Sequence, residues 1–196
     1  MSLREKKKAL TRDGIERAAL GMFLDRGYER VRLDDICAEA VVSPRTFFRY
    51  FDSKEDLVLG RLRSHLTQAA ELLASRPDGE PVGAALAAVI EHVARDYVAE
   101  SERELARLRL VAATPPLRTG LFGVFVAFER LVAEFVATRL GVDPADRTPR
   151  LYAAGTAAAF RVGLEMWVAD EDGVDLPEAI VANAALLTDR LHADHK

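Results

Sequence analysis

A short run of polar side chains between positions 45 and 50 has the chemistry that binds nucleic acid. Its guanidinium and hydroxyl groups can donate hydrogen bonds to base edges and to phosphate oxygens. Phe47 and Phe51 recur at i and i+4, so we expect them to face a core and to leave the polar groups on the outer side of a helix. These outward groups are Arg45, Thr46, Arg49 and Tyr50.

Two helices joined by a tight turn must position these groups. Ser43 is a good N-cap and Pro44 suits the first position of a helix, so the second helix is predicted to begin there. The helix before it starts at Leu33, where Asp34 and Asp35 occupy the first turn and complement the helix dipole. A helix-turn-helix of this kind places its second helix in the major groove of DNA.

A third helix opens at Ser53, which forms with Asp56 an arrangement similar to a capping box. Lys54 lies at the N-terminus of this helix, against the preference of the dipole for anions. A phosphate resting beside the side chain would explain a cation at that position. We therefore predict that Lys54 contacts the DNA backbone.

The N-terminal third of the chain resembles the DNA-binding domain of the TetR family of one-component repressors. The family pattern F-x-x-x-G-[YF] is matched at Phe23–Tyr28, T-[VL]-x-x-I-A-x-x-A-G-V-S at Arg32–Ser43, and x-x-T-[LF]-[YF]-x-[YH]-F-x-[SN]-K-x-x-L at Pro44–Leu57. Residue types and spacings agree across three helices, so the match is specific. The resemblance implies a DNA-binding domain at residues 1–53 and a ligand-binding and dimerisation domain at residues 54–196.

Three positions depart from the family pattern. Val41 replaces the turn glycine, and because a β-branched residue resists positive φ, we expect the turn to close in another conformation. Arg32 replaces a threonine that touches phosphate and can make the same contact. Phe48 replaces a tyrosine whose hydroxyl reaches phosphate, so one backbone contact is lost. The predicted DNA-binding residues are Arg32, Ser43, Pro44, Arg45, Thr46, Phe48, Arg49, Tyr50 and Lys54.

Composition and charge agree with a DNA-binding protein of the cytoplasm. The 196 residues are 49% hydrophobic and 30% charged, which is enough to bury a substantial core. Residues 1–64 carry 14 Lys and Arg against 11 Asp and Glu, and residues 65–196 carry 13 against 20, so the net charge of −4 divides into +3 and −7. A single cysteine excludes an internal disulfide and suits a reducing compartment. With no signal peptide or long apolar run, we expect a protein that is not exported and does not span a membrane.

Apolar residues recur at helical spacing along the rest of the chain, and alternating strand patterns do not appear. We therefore predict an all-α protein of about nine helices. The first helix ends at Gly27, and the helix that opens at Ser53 continues to a linker-like turn at residues 77–79. The later helices are predicted at residues 82–99, 102–113, 115–140, 149–169 and 177–192.

The helix from Pro115 is apolar nearly all round, which is typical of a helix buried on several sides, in a core or along a cavity wall. Charged residues on neighbouring helices would supply polar anchors for a ligand. Core packing is the alternative for the phenylalanines, and two of the charged candidates, Arg161 and Glu165, can equally pair with each other at i and i+4. The candidate ligand-binding residues are His92, Arg109, Phe122, Phe125, Phe128, Arg161 and Glu165.

The last two predicted helices have the composition of a helix–helix interface. Small residues make the first of them thin, and the second has an apolar stripe with 4-3-4 spacing. Both could pack inside one subunit. A helix-turn-helix reads DNA best as a symmetric pair, however, so we favour a four-helix contact in a homodimer. The residues predicted for this contact are Gly155, Ala158, Ala159, Gly163, Ile180, Ala184 and Leu187.

The region from about residue 100 to residue 192 is similar to the acyl-CoA-like ligand-binding domain of a TetR subfamily that includes the mycofactocin-system regulator. The similarity rests on Glu102–Pro115, ERELARLRLVAATP, and on Arg139–Pro144, RLGVDP. It implies a small amphipathic effector such as an acyl-CoA. A helix-turn-helix protein without an effector, controlled by a protein partner, is the alternative.

Motifs of enzyme chemistry are absent from the sequence, among them G-x-S-x-G, G-x-x-x-x-G-K-[ST], G-x-G-x-x-G and H-E-x-x-H. Cys37 occupies a position where the family packs an alanine, so we expect a small buried hydrophobe and not a nucleophile. His192 and His195 have a spacing that metal ligands can have, but terminal histidines are usually solvated. The sequence therefore predicts a repressor that binds double-stranded DNA and an effector, is not an enzyme, and needs neither a metal nor a cofactor.

Overall fold

Helices make up most of the described chain. The structure is a computed structural model that describes residues 2–169 and 173–193, without the side chains of residues 188–193. The predicted all-α class is confirmed, because these residues form nine α-helices and one short 3-10 helix. His195 and the side chain of His192 lie outside the described residues. The helices are α1 Leu3–Arg26, the 3-10 helix Tyr28–Arg30, α2 Leu33–Glu39, α3 Pro44–Phe47, α4 Lys54–Ala74, α5 Val82–Ala99, α6 Ser101–Ala113, α7 Pro115–Leu140, α8 Arg147–Ala169 and α9 Leu176–Ala193.

The chain forms two compact units, and both are discontinuous in sequence. Unit 1 comprises residues 1–63 and 105–121, and unit 2 comprises residues 64–104 and 122–196. Helices α4, α6 and α7 therefore contribute residues to both units. The boundary predicted at residue 53 divides the chain by function and stays a prediction.

An aromatic cluster forms the core of unit 1. Phe23, Phe47 and Phe51 are each at most 1% exposed, and the ring centroids of Phe47 and Phe51 lie 5.6 Å apart. The prediction that Phe47 and Phe51 face a core is therefore confirmed. The guanidinium of Arg12 lies over the Phe51 ring and donates a hydrogen bond of 3.2 Å to the backbone oxygen of Tyr50. These contacts hold the segment after α3 against α1.

A buried arginine ties three helices of unit 1 together. Arg107, on α6, is 1% exposed. Its Nη1 donates to the backbone oxygens of Leu57 and Val58 on α4, at 3.1 and 3.2 Å. Its Nη2 donates to Oε1 of Glu16 on α1 at 2.6 Å. These hydrogen bonds offset much of the cost of burying the cation, so Arg107 fixes α6 against α1 and α4.

The turn between α2 and α3 corrects one sequence prediction. Val41 has φ 53°, so the turn does use the left-handed conformation that we expected a β-branched residue to avoid. The N–H of Val41 donates to Ala38 O at 3.2 Å and the N–H of Val42 donates to Cys37 O at 2.9 Å. Together these bonds form a Schellman motif, which closes α2 and overrides the local preference of the residue.

Replacing Val41 with glycine is expected to stabilise the protein. The Val41 side chain is 89% exposed, so almost no packing is lost, and glycine removes the steric cost of positive φ. After the extra chain entropy of glycine, we expect the free energy of unfolding to rise by about 0.5 to 1 kcal/mol. Urea unfolding measures this change. Val42→Gly, at a half-buried neighbour, should instead lower stability, and equal losses in both variants would contradict the argument.

Unit 2 contains the helix stripes that the sequence predicted, with one exception. The predicted stripe on α5 is buried, since Leu86, Val89 and Val93 are at most 5% exposed. Helix α7 was expected to be buried on several sides, yet Phe122 is 70% and Val126 is 49% exposed in the single chain. The prediction was wrong for this side of α7, because apolar composition alone does not tell which side of a helix has a neighbour.

The turn between α4 and α5 is held by one guanidinium. Arg139 on α7 donates hydrogen bonds to the backbone oxygens of Arg76, Pro77, Asp78 and Glu80 at 2.7 to 3.4 Å. An ion pair between the side chains of Arg76 and Glu80 closes the same turn. The linker-like composition of residues 77–79 therefore gives an ordered turn within unit 2.

Candidate functional site

Hydrogen bonds at the N-cap fix the start of α3, and polar side chains lie on its outward side. The Ser43 hydroxyl accepts the N–H of Thr46 at 3.1 Å and lies 3.0 Å from the Thr46 hydroxyl oxygen. Pro44 occupies the first turn, as predicted. Arg45 and Arg49 are exposed, while Thr46 and Tyr50 are half-buried. Phe47 is buried on the inner side of the helix, so the side chains of Arg45 and Arg49 lie on the surface.

Arg49 and Tyr50 contact each other in the free protein. Nη2 of Arg49 lies 3.1 Å from the Tyr50 hydroxyl, and the guanidinium carbon lies 4.9 Å from the centre of the Tyr50 ring. Phe48 is 54% exposed beside them, at the position where the sequence predicted the loss of a phosphate contact. Arg32 is exposed at the N-cap of α2, where its N–H donates to Asp35 at 2.8 Å and its guanidinium is left on the surface.

Lys54 has a structural role that the sequence did not reveal. Its Nζ donates to the backbone oxygens of Tyr28 at 2.8 Å and Val31 at 3.2 Å, and it lies 4.1 Å from the centre of the Tyr28 ring. The lysine therefore fastens α4 to the segment before α2. An ammonium group has three protons, so one remains for the predicted phosphate contact. Burial, with the charges of Glu55 and Glu29, raises the pKa of Tyr28 to about 12, which keeps the phenol neutral under this cation.

The candidate ligand-binding residues are divided between the two units. Arg109 belongs to unit 1, where it lines a cleft of about 610 Å³ with Arg26 and Arg30. His92 is exposed on α5, and Phe122 is exposed on α7. The ring centroids of Phe128 and Phe160 lie 6.1 Å apart, so Phe128 contributes to packing within unit 2, and Phe125 is half-buried. Arg161 and Glu165 pair with each other at 2.6 Å on the surface, which was the alternative interpretation.

Unit 2 has its own cavities, and none of the lining residues given below was predicted to bind a ligand. A groove of about 520 Å³ lies between α7 and the start of α8, with Arg130, Arg147 and Arg150 among its lining residues. An apolar cavity of about 300 Å³ lies between α5, α8 and α9 and is lined by Leu86, Ile90 and their neighbours. Both volumes are of the size that small amphipathic ligands occupy. The arginines in the first turn of α8 were the available sequence signal, because cations are unusual there.

The residues predicted for a dimer contact divide into two groups. Gly163 is buried and Ile180 is 0% exposed, and both lie in the crossing between α8 and α9 of one chain. Ala159 is 2% exposed, and its backbone oxygen accepts from Asn183 at 3.2 Å. These three residues pack inside the subunit and are unavailable to a partner, which corrects their assignment. Gly155, Ala158 and Ala184 are half-buried and Leu187 is 42% exposed, so they can still meet a second copy.

Several apolar side chains outside the predicted dimer contact are also exposed on the same two helices. They share an outward position on α8 or α9 and range from 38% to 64% exposed. A surface of this kind is typical of a protein–protein contact. The residues are Leu151, Tyr152, Met166, Val181 and Leu186.

The described residues give no support for a reactive cysteine, a metal site or a membrane-spanning helix. Cys37 is 4% exposed, and burial together with Asp34 raises the pKa of its thiol, as a packed cysteine requires. No three potential metal-ligating side chains meet within the described residues. Across the same residues, no helix is both long and apolar enough to cross a membrane.

Comparison with known proteins gives matches over both ends of the chain. Residues 15–60 match the family described as bacterial regulatory proteins, tetR family, and residues 80–192 match the MftR C-terminal domain. The chain is 35% identical to the HTH-type transcriptional regulator TcmR of Streptomyces glaucescens, over 98% of this chain and 89% of that protein. It is 29% identical to a mycofactocin biosynthesis regulator, MftR, of Mycobacterium tuberculosis, over 90% of this chain and 89% of that protein.

A solved structure extends the comparison to a liganded protein. The repressor FadR of Thermus thermophilus, in complex with lauroyl-CoA, superposes with a TM-score of 0.58 at 26% identity. The match covers 91% of this chain and 93% of that one. The fold of the present chain is therefore similar to that of a repressor that binds an acyl-CoA.

Proposed function

Because this chain belongs to the TetR family of bacterial transcriptional regulators, we propose that it is a homodimeric repressor that leaves a palindromic operator when a small amphipathic effector binds. The observation that carries the proposal is the exposed polar side of α3, held on a core of Phe47 and Phe51. Its relatives are transcriptional regulators and not enzymes. The protein would act in the cytoplasm, where its DNA lies.

The type of each side chain determines whether we assign it to a base contact or to a phosphate contact. Arg45, Thr46 and Tyr50 would reach base edges, because arginine forms bidentate hydrogen bonds with guanine in the major groove. Arg32, Arg49 and the remaining proton of Lys54 would hold phosphates and set the register. Two such helices must lie about 34 to 36 Å apart in a dimer to meet successive major grooves, so a small displacement of either one would end binding.

The proposed effector is an acyl-CoA or a similar molecule with an apolar tail and an anionic head. Support comes from the match to the MftR C-terminal domain and from the lauroyl-CoA held by FadR. An acyl tail gains about 0.8 kcal/mol for each buried CH₂ group, and micromolar binding corresponds to about 8 kcal/mol. Such a molecule can act only if it binds the shape that does not fit DNA more tightly than the shape that does.

Operator selection followed by release tests the proposed function. Purified protein should select one palindromic sequence from random duplexes, and lauroyl-CoA at micromolar concentration should then release it in a mobility-shift titration. Release by lauroyl-CoA but not by coenzyme A alone would place the apolar tail in the mechanism. Selection without release by any metabolite would favour control by a protein partner, and failure to select any sequence would remove the DNA-reading assignment.

Arg45→Ala should weaken operator binding by about 1 to 3 kcal/mol and relax the base preference at one position of each half-site. The reason is that its guanidinium is exposed on α3 and is expected to form a bidentate contact with one base. Mobility-shift titrations over mutated operators measure both effects. Arg95→Ala, an exposed arginine of unit 2 that pairs with Glu91, serves as the matched control and should leave binding unchanged.

Lys54→Ala separates phosphate binding from base reading. It should weaken all DNA sequences alike, and it should also lower the melting temperature because the backbone oxygens of Tyr28 and Val31 lose their donor. If Arg45→Ala also weakened every sequence equally, Arg45 would be a phosphate contact and the proposed reading side of α3 would be wrong.

A further inference from the structure

We propose that the groove between α7 and the start of α8, hereafter the arginine groove, binds the anionic head of the effector. Three arginines line it, Arg130 from α7 and Arg147 with Arg150 from α8, and Glu129 is the carboxylate among its described lining residues. Its volume of about 520 Å³ is suited to a small ligand. The inference rests on the proposed function and names the part of the protein that recognises the charge of the effector.

The arginines on α8 stand where a helix ordinarily disfavours cations. The N-terminus of a helix carries a partial positive charge, and acidic residues normally occupy its first turn. The first turn of α8 has no acidic residue and instead contains Arg147, with Arg150 one turn further on. Asp146, directly before the helix, offsets part of this positive charge, and the remainder would attract an anion into the groove.

These guanidinium groups are also available. Among the residues that the structure describes, no carboxylate lies within 4 Å of the Arg147 or Arg150 guanidinium, and Arg130 has only a long contact of 3.8 Å with Glu134. Arginine forms paired, planar hydrogen bonds with phosphate and carboxylate oxygens. Three such groups around one groove therefore fit a phosphate-bearing head better than a single carboxylate.

An apolar strip leads into the charged end of the arginine groove. Phe122, Val126 and Arg130 are spaced four residues apart on α7, so they lie along one side of the helix over roughly 12 Å. Phe122 is 70% and Val126 is 49% exposed. Along α7, apolar side chains are thus followed by a cationic one. This order is complementary to an acyl chain that ends in an anionic group.

The experiment is a calorimetric titration of the full chain with lauroyl-CoA, coenzyme A and laurate. Arg147→Gln with Arg150→Gln removes two of the charges, and Arg118→Gln, an exposed arginine of α7 outside the groove, is the matched control. We expect the double variant to bind lauroyl-CoA about 100-fold more weakly, at about tenfold for each lost contact, and the control to bind as the unaltered protein does. Rising salt should weaken the unaltered protein more than the double variant.

The two other ligands show which anion the arginines recognise. If coenzyme A loses affinity in the double variant and laurate does not, the groove binds phosphate. If laurate loses affinity and coenzyme A does not, the arginines bind the carboxylate, and their assignment to a phosphate-bearing head is wrong. Val126→Ser should weaken lauroyl-CoA and leave coenzyme A unchanged, because only the acyl chain contacts the apolar strip.

Three outcomes would overturn the inference. Unchanged lauroyl-CoA affinity in the double variant would remove the arginine groove while leaving the effector class intact. Absence of binding by the unaltered protein to any of the three ligands would remove both the groove and the proposed effector. A double variant that becomes monomeric in light scattering would assign these arginines to a contact between copies. Thermal melting of each variant establishes that it is folded.

Discussion

Arg107→Leu is expected to destabilise unit 1 by about 3 to 5 kcal/mol and to abolish operator binding. The substitution removes a cation that is 1% exposed and leaves the Glu16 carboxylate, whose side chain is 14% exposed, without its partner at 2.6 Å. Breaking one side of a buried ion pair costs this much because the remaining charge stays desolvated. The backbone oxygens of Leu57 and Val58 also lose a donor, so α6 is no longer fixed to α4.

Urea unfolding and hydrogen exchange of the α1 and α4 amides measure the loss. Arg118→Leu, the same substitution at an exposed position of unit 1, should change stability by less than about 0.5 kcal/mol. The double variant Arg107→Leu with Glu16→Leu should be more stable than Arg107→Leu alone, because the unpaired charge is gone. Equal stability of the Arg107 and Arg118 variants would show that the buried hydrogen bonds contribute nothing.

Gly163→Leu is expected to separate α8 from α9, at a cost of about 3 kcal/mol. A Cβ atom at Gly163 would come closer to Cγ1 of Ile180 than two carbon atoms can approach, and Ile180 is 0% exposed and cannot turn away into solvent. Because α8 and α9 carry the exposed apolar residues of the proposed dimer contact, we also expect the dimer to dissociate and operator binding to fall.

Gly155→Ala on the same helix is the control for this result. Its added Cβ would meet only Cδ1 of Leu187 at 3.5 Å, an ordinary contact, and alanine favours a helix over glycine by about 1 kcal/mol. The control should therefore raise the melting temperature while Gly163→Leu lowers it. Adding Ile180→Ala to Gly163→Leu should restore part of the stability, and no restoration would place the strain at another neighbour.

Local features of the fold could be predicted from the sequence. The N-cap at Ser43, the buried Phe47 and Phe51, and the helix at Val82–Ala99 depend on residues within a few positions of one another, and the structure confirms them. Short-range rules suffice where the partners are neighbours in the chain.

Long-range features could not be predicted. Lys54 contacts backbone 23 and 26 residues away, and Arg107 reaches acceptors between 49 and 91 residues away. No sequence spacing encodes such partners, because they depend on how helices meet in space. For the same reason, residues that favour close helix contact, such as Gly163, could be predicted to lie in an interface, but not whether that interface lay inside one chain.

The conformational preference of a residue type also failed to predict the backbone where a hydrogen-bonded motif required another conformation. Val41 adopts positive φ because the bonds from Val41 and Val42 to the end of α2 are made only in that conformation. Phe122 shows a second limit of prediction from sequence. Its residue type favours burial, yet its side chain is exposed in the single chain, and residue type alone does not distinguish the two cases.

The discontinuity of unit 1 has a consequence for the order of synthesis. A ribosome makes residues 1–63 first, but the segment 105–121 that completes the unit, with Arg107 in it, follows only after about 40 further residues, 64–104. At about 5 to 20 residues per second, this delay is about 2 to 8 s. During it, Glu16 has no cation from α6. Residues 64–104 are thus always made before Arg107 can fix the DNA-binding helices of unit 1. A chain that terminated before residue 105 would therefore not compete with the full chain for the operator.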